Sequence, residues 1–473
     1  MRRFDLALVV LYASWLFASD WPQFRGPNAR GVSETTGLPV EFGPSKNVIW
    51  KTALPPGHSS PVLTADRIFL TAFDAEHLYV ITLDRSTGKI LWRREVPRPR
   101  KQKLHESNSP ASPSVATDGR NVYAFFTDFG LISYGSDGEE RWRVPLGPFN
   151  NPFGLGASPV LANGKVIQVC DSESGSFAVA VDQKTGRLVW RVERPDMTRG
   201  FATPVLYQPE AGGLEALVAG TNRLIAYDVD TGKQVWWVRG LTWQLKPTPV
   251  IDGRVVYVLG WAGGADQGNQ QTVPSFREML AAADRNHDGK LAKAELTDPQ
   301  YQKDFDEADF DGDGFLEERE WEKLRERHSV VNSVMAVKLG GSGDMTETNI
   351  LWRHYRSLPN VPSPLVYHGV LYLMKEGGIL TALDASTGKV LKQGRLKGAL
   401  DFYYSSPVGA DGKIFTASQE GHVSVIRAGA DWEVLAVNDM DDEVFATPAP
   451  VDQRLYLRTR SALYCFGIAP RQN

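Results

Sequence analysis

Apolar residues in this chain fall in short alternating runs, not in long helical stripes. Segments such as 67–70 (Arg-Ile-Phe-Leu) and 255–258 (Val-Val-Tyr-Val) carry β-branched and aromatic residues between clusters of Gly, Asp and Asn. That is the pattern of strands separated by tight turns. A first signature, Ser or Thr followed by Pro, recurs at Ser60, Ser112, Ser158, Thr203, Thr248, Ser363, Ser406 and Thr447. The prolines lie 52, 46, 45, 45, 115, 43 and 41 residues apart, so the 115 holds one repeat plus an insertion.

A second signature follows the first. Asp84, Thr87-Gly88 and Trp92 set it, and it returns as Asp182, Thr185-Gly186, Trp190 and as Asp228, Thr231-Gly232, Trp236. Asp384 with Thr387-Gly388 lacks the Trp, Asp137-Gly138 with Trp142 is shortened, and 338–352 and 427–435 are looser forms. Gly takes the positive-φ position of a turn while Asp and Thr bond local backbone groups. The Trp then falls on the returning outer strand, where it can pack on the neighbouring repeat. Four strands in a unit of about 45 residues form the blade of a β-propeller.

The expected fold is therefore all-β: an eight-bladed β-propeller of four-stranded blades, with seven blades if the weak seventh unit is merged. The last unit ends at 463–466 without an outer strand, and the unused strand at 47–51 precedes the first unit. Pairing the two would close the ring and remove its open edges. The propeller is expected over 47–262 and 329–468, with a leader at 20–46.

The insertion, 263–328, falls in the fifth blade and changes the composition. A Gly-rich stretch at 263–269 reads as linker, and Phe276, Met279, Leu280 and Ala283 form the stripe of an amphipathic helix. Two twelve-residue acidic loops follow. In the first, Asp284, Asn286 and Asp288 supply oxygens at positions 1, 3 and 5, Gly289 makes the bend and Lys290 offers its carbonyl. Its side chain is expected to point away. Ala292 leaves room for a water, and Glu295 can chelate with both oxygens. The second loop offers Asp309, Asp311, Asp313, the Phe315 carbonyl, Glu317 through water, and Glu320. These are the ligand positions of an EF-hand, which surrounds a hard cation with six to eight oxygens. Two calcium ions are expected. Leu291 and Leu316 occupy position 8, so the loops should pair, and Pro299 is expected to break the helices between them. Between Ser275 and His328, 16 acidic residues face nine basic ones. The negative charge thus gathers where a divalent cation would offset it.

Net charge is −4, which gives no global basic field for nucleic acid. Residues 1–19 read as an export signal, with Arg2 and Arg3 before a short apolar run at 6–17. No other stretch is long enough to span a membrane. A periplasmic or secreted, monomeric protein is expected. Cys170 and Cys465 form no metal or redox motif. Two separate buried thiols are the favoured reading, with a single disulfide as the alternative.

The repeat resembles the quinoprotein-type (PQQ-like) propeller family, which includes the bacterial outer-membrane assembly propeller and quinone-dependent alcohol dehydrogenases. The leader 20–27 (Asp-Trp-Pro-Gln-Phe-Arg-Gly-Pro) and 105–119 are similar to a large group of exported bacterial propellers. The dehydrogenase branch implies a quinone in the central funnel, stacked against a Trp and an adjacent-cysteine disulfide, beside calcium and a catalytic Asp. This chain has no adjacent cysteines, and no motif places the other groups, so PQQ is not expected and no catalytic residue is assigned. His58, His105 and Asn108 precede inner strands and either line a channel mouth or cap strand ends. Trp243, Asp401, Tyr403 and Tyr404 lie in corresponding loops and either stack on a sugar or peptide or plug the channel. The basic run 93–103 either meets an anion or is a solvated loop. The expected function is an exported calcium-binding scaffold that binds a protein or glycan partner. The alternative is an enzyme that uses the funnel, either a quinone-dependent dehydrogenase or a hydrolase.

Overall fold

The structure is a computed structural model that describes residues 20–468. The export-signal expectation at 1–19 lies outside the described residues. Eight antiparallel blades surround a central channel. Blade 1 runs outward through Val62–Leu63, Arg67–Phe73, Leu78–Asp84 and Ile90–Val96, and the other blades repeat this order. The last blade takes its outer strand from Val48–Ala53, which pairs antiparallel with Ala462–Gly467. The expected closure and blade number are therefore correct.

Both signatures have clear structural work. In the turns, one carboxylate oxygen of Asp84 accepts from the backbone N–H groups of Ser86 and Thr87 and from the Thr87 hydroxyl. Asp182, Asp228 and Asp384 repeat the Thr contacts. Apart from Trp236, which donates to Glu215 of its own blade at 2.8 Å, each following Trp docks on the next blade. The Trp92 indole N–H donates to the Ser136 carbonyl at 3.0 Å, and Trp142, Trp190 and Trp352 reach Gln183, Val229 and Ala385 in the same way. Trp50 donates to Arg85 across the closure. The turn glycine is required by this packing. A Cβ on Gly88, at φ +72°, would lie 2.4 Å from the Trp50 ring.

The hydroxyls of the first signature form a closed ring around the channel. Backbone N–H groups of Ser60, Ser114, Ser158 and Thr203 donate to the side-chain oxygens of Ser114, Ser158, Thr203 and Thr248. Thr248, Ser363, Ser406 and Thr447 continue to Ser363, Ser406, Thr447 and back to Ser60. The eight bonds span 2.8–3.2 Å. In blade 2 the member is Ser114, not the expected Ser112 before Pro113, because Ser114 occupies the ring position although Val115 follows it. Ser158→Ala would leave the buried Ser114 N–H without its acceptor. A loss of about 1–3 kcal/mol is expected in urea unfolding, and Ser158→Thr should restore most of it.

Three features exceed the sequence reading. The third-to-fourth strand connection of blade 5 is expanded, and Gly343–Asp344 adds a fifth, parallel strand to the edge of blade 4. The leader crosses the face where the innermost strands end. Trp21 pairs with Leu63, Asn28 with the Leu206 backbone, and Gly31 and Ser33 with Gly409. The insertion joins the second and third strands of blade 5, so antiparallel order puts it on the opposite face. Cys170 and Cys465 are separate buried thiols, as favoured, and burial raises the pKa of both.

Candidate functional site

The channel is a cup with one open end. Its volume is about 410 Å³. The leader's Phe24 reaches in from the closed side, and the eight ring residues line the waist. The loops that enter the innermost strands build the mouth. Blade geometry brings together aromatic groups distant in sequence: His58, Phe153, Phe201, Trp261, Tyr404 and Phe445. His58 stacks on Phe445 with centroids 3.9 Å apart, and Tyr404 stacks on the same ring at 5.3 Å. Burial, then Arg458 and Arg460, lower the His58 pKa to about 3, so its imidazole is neutral across the physiological range. Asn108 donates to the Phe153 carbonyl at 2.6 Å and fixes that wall.

One cation lines the cup. Lys246 Nζ donates to Gln244 Oε1 at 2.8 Å and to Asn360 Oδ1 at 2.7 Å, and lies 5.6 Å from the Trp261 ring centre. Among the described residues no carboxylate pairs with it. Burial, and secondarily the field of Arg199, pull its pKa down to about 8. No Asp or Glu lines the cup. Sequence reasoning missed Lys246 because nothing local distinguishes it from a surface lysine.

The other rim expectations resolve individually. His105 and Asn108 line the cup, as does Tyr404. Tyr403 is buried and donates to the Ala399 carbonyl at 2.7 Å. Trp243 lies outside the cup, with the guanidinium groups of Arg199 and Arg327 at 5.0 and 4.3 Å from its ring centre. Much of the basic run 93–103 is engaged internally. Arg98 pairs with buried Asp128 at 2.8 Å, and Arg100 donates to the Thr127 and Leu146 carbonyls.

The insertion folds as two helix–loop–helix units. Helix α1 (Phe276–Ala283) buries Phe276, Met279 and Ala283, with Leu280 packed against the same core. Helix α2 is Pro299–Ala308 and helix α3 is Glu318–Ser329. Pro299 starts α2 instead of breaking a helix, because it sits at the first helical turn, where its missing N–H costs nothing, behind the Asp298 cap. Leu291 and Leu316 pair across a short antiparallel bridge. In the first loop, Asp284 accepts from the His287 and Gly289 N–H groups, Asn286 from Asp288, and Asp288 from Lys290. Glu295 bonds the N–H groups of Arg285 and Ala292. In the second loop, Asp309 accepts from Gly312 and Gly314, Asp311 from Asp313, and Asp313 from Phe315. Glu320 bonds Phe310 and Glu317. Burial, and then Asp311 and Asp309, raise its pKa. The Lys290 side chain does not point away. It crosses to the second loop and pairs with Glu317 at 2.6 Å and Asp313 at 3.2 Å, drawn by that loop's excess charge.

The insertion also rests on the propeller. Asn150 donates to the Phe310 carbonyl at 2.9 Å and Asn222 to Glu326 at 2.5 Å. Arg199 pairs with Glu173 and approaches Glu307 at 3.7 Å.

With this geometry in view, the family model described as outer membrane protein assembly factor BamB matches residues 35–179, 173–273 and 342–469. The chain belongs to this BamB family. The unmatched stretch contains the two helix–loop–helix units, so they are an addition to the BamB repeat. No curated protein sequence matches. The fold is similar to BamB from Moraxella catarrhalis, at 14% identity and TM-score 0.57, over 90% of this chain and 98% of that one. It is also similar to the quinohemoprotein alcohol dehydrogenase of Comamonas testosteroni, at 14% identity and TM-score 0.61, over 96% and 82%. A europium-containing methanol dehydrogenase aligns at 12% identity and TM-score 0.55, over 95% and 98%. These likenesses show the propeller fold. No helix among the described residues is long and apolar enough to cross a membrane.

Proposed function

We propose that this BamB-family chain is an exported, calcium-binding recognition propeller without catalytic activity. Its mouth face engages a protein or glycan partner that presents an acidic group to the cup. The observation that carries this reading is Lys246, a desolvated cation among aromatic walls, held only by amide oxygens. An inserted carboxylate would supply its missing countercharge, and a sugar or side chain would cover the rings. A quinone cofactor fits these residues poorly. Trp261 lines the cup, but no cysteine and no carboxylate does, so neither the disulfide platform nor the calcium and proton-accepting groups have candidates there.

Calorimetry with galacturonate oligomers and Glu-rich peptides tests this. Binding by either probe is expected to be lost in Lys246→Met. It should also weaken as pH rises through about 8, because only the protonated amine attracts the anion. Failure of both probes, or stoichiometric retention of added quinone and its absorbance after dialysis, would overturn the reading.

The acidic loops support the calcium part of the proposal. Asp284, Asn286, Asp288 and Glu295 in one loop, and Asp309, Asp311, Asp313 and Glu320 in the other, would each surround one ion. The Lys290 and Phe315 carbonyls would complete the shells, and Glu317 would act through water once calcium displaces the Lys290 ammonium. Titration is expected to show two sites, and Glu295→Ala combined with Glu320→Ala should remove both. Far-ultraviolet circular dichroism of that variant should keep its β-sheet signal, because the blades close without the insertion. No calcium heat at millimolar concentration would refute the proposal.

A further inference from the structure

A second cluster on the mouth face is chemically different from the acidic loops. In blade 7, Asp401 lies on the connection into the innermost strand Val408–Ala410. Glu420 and His422 belong to the turn between Lys413–Ala417 and His422–Arg427. One ligand atom from each residue lies within 4.8 Å of the other two. His422 Nδ1 is 2.8 Å from Asp401 Oδ2, and the Ser418 hydroxyl donates to the same oxygen at 2.6 Å. The Ser418 oxygen in turn accepts from the His422 N–H at 3.2 Å, and the Asp401 carbonyl from the Gly377 N–H at 3.0 Å. Asp401 is therefore fixed from three directions, with its side chain only 15% exposed.

The charge balance of this cluster is incomplete. Two carboxylates converge, yet among the described residues neither forms an ion pair with Lys or Arg; the imidazole is the sole salt-bridge partner of Asp401. We propose that Asp401, Glu420 and His422 bind one divalent transition-metal ion of the zinc class. An imidazole nitrogen with two carboxylate oxygens suits zinc, whereas calcium prefers an all-oxygen shell. Bonds of about 2.0–2.2 Å require the oxygens and nitrogen to draw closer than they now lie. Glu420 is exposed and can swing, while Asp401 and His422 are already in contact. The metal takes the place of the hydrogen between His422 Nδ1 and Asp401, and that proton moves to Nε2 or to solvent. Ser418 then acts as a positioning residue that orients Asp401. Three protein ligands leave a coordination position for water or for a donor atom from a bound molecule. Tyr404, in the same connection, lines the cup.

The test uses the full chain, stripped of metal and then held in excess calcium so that the acidic loops are occupied. Cobalt(II) is added as a spectroscopic probe, and zinc is titrated by calorimetry. One equivalent of zinc is expected, displacing cobalt and its visible absorption. His422→Ala and Asp401→Asn should abolish that equivalent, and Glu420→Gln, which alters an exposed side chain and spares the fold, should weaken it. Ser418→Ala should weaken it by about 10–100-fold. The Glu295→Ala, Glu320→Ala double variant should bind zinc as the parent does. Absence of zinc binding, or zinc binding unchanged by both His422→Ala and Glu420→Gln, would overturn the assignment.

Discussion

Replacing Asp171 with Ala is expected to destabilise the protein by about 3–5 kcal/mol in urea unfolding. Asp171 and Arg194 have side-chain exposures of 0% and 1%. They form a two-pronged pair at 2.7 and 3.0 Å, and Arg194 also donates to the Tyr227 hydroxyl at 2.5 Å. Burial opposes the charge on Arg194, but Asp171 and Tyr227 outweigh it and raise the pKa. Removal of the carboxylate strands a cation in a fully buried site. The neighbouring backbone leaves little room for relief, since a Cβ on Gly200 would lie 2.2 Å from Asp171 and one on Gly220 2.6 Å from Arg194. Asp171→Asn should cost nearly as much, because the loss is electrostatic. The paired replacement Asp171→Leu with Arg194→Met should cost far less than either single change, since it removes both charges. Equal losses in all three variants would show that shape, not charge, governs the site.

Trp21→Ala is expected to cost a similar amount, about 3–5 kcal/mol, and to loosen the base of the cup. Trp21 is 2% exposed, and its backbone exchanges two hydrogen bonds with Leu63 at 2.9 Å. The leader folds tightly over the ring, with Gly26 at φ +72° and its missing Cβ only 2.5 Å from the indole. Next to it, Arg25 is fully buried and donates to the Pro364 carbonyl at 2.8 Å; burial lowers its pKa to about 9. Phe24 is carried on the same turn, so a cavity under Trp21 should release it from the cup. Hydrogen exchange is expected to accelerate at residues 21–33 before it does in the blades. Unchanged exchange there, with a stability loss below about 1 kcal/mol, would contradict a plugging role.

The blade architecture was legible because its chemistry is local. Asp84, Thr87 and Gly88 specify a turn within five residues, and Trp92 follows at a fixed distance. Ser114 was not legible, because membership of the hydroxyl ring is defined by a partner in another blade. Residues 109–114 contain three serines, and proline follows Ser109 and Ser112 but not the ring member Ser114. The two acidic loops were readable from spacing, and so was the stripe of α1. Their rest on blades 3 and 4 was not, since Asn150, Asn222 and Arg199 carry no local sign of a distant neighbour. These contacts tie the insertion to the blades. The leader lacks any period at all, and its meaning emerges only when the channel it fills has formed. Lys246 shares that difficulty, because loops from separate blades create its environment, whereas the Asp401 cluster is assembled by two connections of blade 7.

The closing strand has a consequence for biogenesis. Val48–Ala53 leaves synthesis early but has no partner until Ala462–Gly467 arrives. Until then an emerging chain presents an orphan ribbon at one end and an unfinished sheet at the other, and a second copy could satisfy both. The latching step depends on contacts between segments at opposite ends of the ring, which slows it relative to formation of each blade. Swapped dimers, each lending its first strand to the other, are therefore the characteristic by-product to look for when the protein is refolded at high concentration.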